Sequence, residues 1–171
     1  MKSVHGECAF WSLRSNMDGV SARQEWCRLV IQLQNSSSWD AHAAVEAGVP
    51  AALVIVMGSA FGKPTQKVLR LLGLSAPSFR RCVALARPLP ELVGHRVIAA
   101  MRLAVTLRQI IEGNGAVERS SGFDPDAWLG GWLEDSLPSL PDIARASLLR
   151  NPEGQRVLDA QLHAMLGGLV A

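Results

Sequence analysis

"KPTQKVLRLLGLSAPSFRRCVALARPLP" occupies residues 63–90, and its spacing decides the fold. Val68, Leu69 and Leu72 recur at helical intervals, Gly73 interrupts them, and Leu74, Phe79 and Cys82 resume the apolar pattern. Two short helices crossing over one apolar contact produce this arrangement, with Gly73 supplying the left-handed turn residue. Pro64 suits the opening of the first helix, and Ser75 is placed to cap the second. Pro77 removes a backbone donor, but one that is spare within a first turn. In a DNA-bound helix-turn-helix the start of the second helix enters the major groove while flanking bases meet phosphates. On that reading Lys67, Ser75, Ser78, Arg80 and Arg81 are the expected DNA-contacting residues. The competing reading is an ordinary αα-hairpin with a solvated basic face.

Charge is segregated along the chain. The formal net charge is only +2, yet residues 63–108 hold nine bases against a single acid, Glu91. Residues 109–171 reverse the balance, with nine acids and four bases. A basic middle and an acidic end imply two different partners.

The 171 residues suffice for one domain with a real core or for two small lobes. An apolar fraction of 49% with 19% charged residues excludes a disordered chain. Tyrosine is absent and aromatics amount to 5%, so the core must be built from Leu, Val, Ile and Ala, which favours packed helices. The longest uncharged apolar run, Ala47–Gly62, contains Pro50 and is too short for the ~20 residues of a membrane span. Met1–Gly19 has no continuous apolar stretch of the kind a secretory signal needs. Cys8, Cys27 and Cys82 are odd in number and widely spaced, as expected of structural thiols in a reduced, cytoplasmic setting.

The expected fold is all-α. Helices are read at Ser21–Gln34, with Trp26, Leu29, Val30 and Leu33 on one stripe and Ser21 as cap, and from a cap at Asp40 through Glu46. Further helices are read at Pro50–Met57 and Glu91–Glu112. "ERSSG" at 118–122 is the best linker. Beyond it come a helix capped by Asp124, a proline-rich connection at 136–141, a short helix Asp142–Leu149 and a last helix Pro152–Leu166. This divides the chain into an N-terminal extension (1–39), a helix-turn-helix domain (40–115) and a C-terminal domain (123–171). Met17 is an alternative start that would leave a capped first helix.

No catalytic constellation is expected, and no metal or cofactor. His5, His42, His95 and His163 are isolated from one another and from ligand-spaced acids. "GSAFGKPT" at 58–65 lacks the four-residue gap of a phosphate loop and follows a helix rather than a strand.

The ending, "NPEGQRVLDAQLHAMLGGLVA" at 151–171, is a helix that breaks at Gly167-Gly168 and finishes in uncharged residues. Such an end is shaped to enter a cleft. A frayed terminus is the alternative. From about Glu46 onward the chain resembles the antitoxins of the Xre/MbcA/ParS type. The resemblance rests on "VLRLLGLSAPSFRR" and on Trp132, Leu133, Leu140, Leu148, Leu149, Asn151, Gly154, Val157, Leu162 and Gly168 in order. It departs from the family pattern at Pro141-Asp142, Arg145-Ala146 and Val170. The resemblance implies a Xre-like helix-turn-helix followed by a small helical toxin-binding domain. It also implies a partner toxin of the RES-domain family that consumes NAD, and a C-terminal end that blocks the toxin's NAD pocket. Expected toxin contacts are His163, Leu166, Gly167, Gly168, Leu169, Val170 and Ala171. Operator DNA and a second copy of the chain, within a larger toxin-antitoxin complex, are the other expected partners. A stand-alone transcriptional regulator is the alternative function.

Overall fold

The structure is a computed structural model that describes residues 9–13, 18–113, 122–138 and 140–167. Helices dominate it. They are α1 (Gly19–Gln34), α2 (Ser38–Glu46), α3 (Leu53–Phe61), α4 (Thr65–Leu72), α5 (Ala76–Ala84), α6 (Glu91–Gly113), α7 (Pro125–Glu134) and α8 (Pro152–Gly167). The all-α expectation holds, with one addition. Ser136–Leu137 (β1) and Leu140–Ala144 (β2) pair antiparallel, and a 3-10 segment, Arg145–Arg150, follows. The connection 136–141 is therefore partly strand, and the helix expected at Asp142–Leu149 is strand and then 3-10. Pro141 supplies no ladder donor and Ile143 is β-branched, which suits a short paired edge.

The starts of α1, α2 and α3 differ from the sequence reading by a few residues, the first two because a different side chain caps. Asp18 rather than Ser21 caps α1, accepting from the Ser21 N–H at 2.8 Å. Ser37 caps α2, and Asp40 sits at the third helical position, closing a reciprocal capping box with Ser37. Pro50 does not open α3. It pairs across to Pro88 in an isolated bridge, where the Leu89 N–H donates to the Val49 carbonyl at 2.8 Å. Asp124 caps α7 as expected, accepting from the Asp126 and Ala127 N–H groups.

One buried cluster takes side chains from Phe10 to Leu162, with every helix from α1 to α8 except α5 contributing a buried residue. The α1 stripe is central to it: Trp26, Leu29 and Val30 are fully buried and pack toward α3 and α6. Each such side chain is worth about 1.5–3 kcal/mol when fully buried. The described residues of α1 thus belong to the body of the fold. Trp11 also reaches inward, donating its indole N–H to the Ala44 carbonyl at 2.6 Å.

Polar contacts join α1 to α7 across a large sequence separation. The Trp26 indole N–H donates to Asp126 Oδ1 at 3.0 Å, and Arg108 Nη2 on α6 donates to Asp126 Oδ2 at 2.6 Å. Arg23 Nη1 meets Asp124 at 2.5 Å. Asp124 would be raised by its burial, but the capping N–H groups and Arg23 hold its carboxyl below the ordinary value. Limited proteolysis should cut first within residues 118–123, a stretch whose first four residues lie outside those described. The two products should nevertheless co-elute on native size exclusion and separate only in denaturant. First cleavage inside α6 would place the weak joint elsewhere.

Candidate functional site

The hairpin forms as the sequence implies. Gly73 ends α4 in the left-handed region, at φ 63°, and Leu74 N–H donates back to the Leu69 carbonyl at 2.9 Å. A side chain here would be strained by the backbone angle. It would also collide with Arg96, whose Nη1 lies 2.6 Å from the position of a Cβ. Ser75 caps α5, accepting from the Ser78 N–H at 3.3 Å while its hydroxyl donates to Ser78 Oγ at 2.9 Å.

α5 lies on the surface. None of its residues is buried; Ala76, Phe79 and Cys82 are half-covered and rest on the core. Ser75, Ser78, Arg80 and Arg81 are all exposed, so the structure brings four of the five expected DNA contacts onto one free element. Lys67 differs. Its ammonium lies 3.7 Å from Glu134 on α7, which also binds Lys63 at 2.5 Å. Burial alone would raise the Glu134 carboxyl; the Lys63 ammonium, and after it Lys67, hold it below the usual range. Lys67 therefore has an intramolecular partner that sequence spacing does not reveal, because α7 lies some sixty residues away along the chain.

The second candidate surface is the end of α8. Its inward face is Leu158 and Leu162, both fully buried. After Leu162, His163, Ala164 and Met165 are exposed, and helix continues through Gly167. The His163 ring donates from Nδ1 to the Asp159 carbonyl at 2.9 Å, a contact within its own helix. Leu166 and Gly167 complete the last turn, whereas Gly168, Leu169, Val170 and Ala171 lie outside the described residues.

The start of α8 has an architecture that sequence alone did not explain. Asn151 Oδ1 accepts from the Gly154 N–H at 2.8 Å, capping the helix. A Cβ on Gly154 would overlap the Leu148 carbonyl oxygen and stand 2.8 Å from the Leu148 Cα. The Asn-x-x-Gly step thus lets the 3-10 segment lie directly against α8. At the start of that segment Arg145, itself buried, stacks its guanidinium 5.0 Å over the Trp132 ring.

Comparison with known proteins adds to this geometry. Over 107 residues the chain is 31% identical to the Prs ADP-ribosylating antitoxin of Sphingobium sp. (strain YBL2). The chain is similar to an antitoxin. The match covers 62% of this chain and 65% of the length of that relative. No family model matches, and no solved structure does. Among the described residues no helix is long and apolar enough to cross a membrane.

Proposed function

We propose that this chain is an antitoxin that binds and neutralises a RES-domain toxin, using the end of α8 and the residues after it to close the toxin's active-site entrance. The observation that carries the reading is the 31% identity over 107 residues to a protein named as an antitoxin. That name also contains ADP-ribosylation, a reaction that consumes NAD, and an NAD-consuming partner is what the family resemblance implies. The geometry supplies a suitable element. Beyond Leu162, the last described side chain that α8 buries, the helix continues to Gly167, an element suited to carry such a segment.

No chemistry is assigned to this chain in neutralisation; it acts by occupying space. Leu169 and Val170 would each contribute about 1.5–3 kcal/mol if fully buried in the toxin. Gly167 and Gly168 would permit close backbone approach there. The exposed hairpin helix α5, with Arg80 and Arg81, fits a second role, repression of its own operon as a dimer bound to operator DNA in the cytoplasm. That surface also supports the alternative of a stand-alone regulator whose C-terminal segment serves another interaction.

Co-expression with the product of the adjacent reading frame separates the two. An antitoxin should restore growth to cells making that product and should co-purify with it. A chain that binds its promoter but neither rescues nor co-purifies is the regulator.

A further inference from the structure

Among the described residues, lysines and arginines divide by whether a carboxylate lies within 4.0 Å. Every one outside residues 70–102 has such a partner except Arg150, and none of the six arginines inside that range has one. Among the described residues, unneutralised charge is thus confined to the hairpin and the loop after it, the first half of α6, and one residue of the C-terminal segment.

The fold brings that residue back to the hairpin. The 3-10 segment packs against α4 and α6, and Arg150 at its end is near enough to Arg96 for the two charges to repel. Arg96 in turn reaches the Gly73 turn, where its Nη1 donates to the Leu72 carbonyl at 2.6 Å, and its Nε is buried with no partner. Burial first, and Arg150 second, make the charged form of Arg96 harder to hold. The two guanidinium groups leave local repulsion that no acid of the described chain relieves within 4.0 Å. An external polyanion would relieve it, and planar guanidinium forks match phosphate oxygens well.

We propose that the DNA-contacting face extends beyond α5 onto the C-terminal segment, with Arg150, on the 3-10 segment packed against α4 and α6, as a phosphate contact. This rests on the reading that the hairpin binds operator DNA, and it assigns a DNA contact to a segment expected only to meet the toxin. Arg150 stands two residues before α8, so the element that meets DNA leads directly into the element that meets the toxin.

The test is a salt series of fluorescence polarisation with the chain's own promoter duplex and an unrelated duplex. It compares wild type, Arg150→Ala, Arg150→Lys and the pair Arg80→Ala with Arg81→Ala. Each lost phosphate contact lowers the slope of log affinity against log salt by about 0.9. Arg150→Ala should lower it by about one and weaken both duplexes alike, while Arg150→Lys should keep most of the slope. Arg150 is exposed, and unchanged circular dichroism would confirm that each variant is folded. If Arg150→Ala keeps the wild-type slope while the Arg80/Arg81 pair loses about two, the extension is wrong and the hairpin reading stands. If wild type shows no salt-sensitive binding, or the Arg80/Arg81 pair changes nothing, the hairpin reading fails and the extension with it.

Discussion

Removal of residues 167–171 should abolish toxin neutralisation while leaving the fold, DNA binding and docking in place. The last described side chain that α8 buries is Leu162, and His163, Ala164 and Met165 are exposed. Deleting the residues after Leu166 therefore removes no described core contact, and the melting temperature should move by no more than a surface change produces, roughly 0.5 kcal/mol in stability. The remaining C-terminal segment still presents its outer surface, so a complex should form on co-purification with an active toxin inside it. Gly168→Glu should mimic the deletion by placing an unpaired carboxylate in a desolvated contact. Full protection by the truncated chain would mean that docking alone inhibits. Loss of the complex would make the tail an anchor instead of a gate.

Gly154→Ala should cause the largest loss of stability available from a single methyl group in this chain. The added carbon would overlap the Leu148 carbonyl oxygen, Cα and carbonyl carbon, all within 2.9 Å. These are backbone atoms, which cannot rotate aside as a side chain does. Relief requires the 3-10 segment to move off α8, loosening Leu149, Leu158 and Leu162, which are fully buried. Overpacking typically costs 1–3 kcal/mol and occasionally more, and a backbone clash lies at the upper end, about 3 kcal/mol. At about 2–4 °C per kcal/mol for a chain of this size, the melting temperature should fall by about 6–12 °C. Asn151→Ala, which removes only the cap, should cost about 1 kcal/mol. Equal melting temperatures for these two variants would show that the segment can shift freely and that the glycine is not held by contact.

Helix positions were legible from apolar spacing, and the Gly73 turn from the glycine itself, because both are set by residues a few places apart. The starts of α1 and α2 were less so. Asp18 competes with Ser21, and Ser37 with Asp40, and in each case the cap is chosen by which side chain reaches a free N–H. β1 and β2 escaped notice because each is too short for alternation to register against proline-rich surroundings. Of the basic hairpin, the exposure of Arg80 and Arg81 followed from local pattern, but the capture of Lys67 by Glu134 did not. Nor did the packing of the 3-10 segment that ends in Arg150 onto α4 and α6. Both depend on tertiary return of the C-terminal segment, for which charge counts by segment give no signal. The Asn151 and Gly154 positions were visible as part of a family pattern, yet their purpose emerged only with Leu148 in place.

α5 buries none of its residues, and this bears on how the protein can diverge. Substitutions at exposed positions usually shift stability by less than about 0.5 kcal/mol in either direction, so Arg80, Arg81 and the other exposed residues of α5 can drift almost without cost to the rest of the molecule. A lineage could retarget this helix to a new sequence, or discard its recognition altogether, while the core beneath it stayed unchanged. The step at Asn151 and Gly154 has no such latitude. Related chains should therefore vary most along α5 and least where the 3-10 segment meets α8, whichever partner each has come to serve.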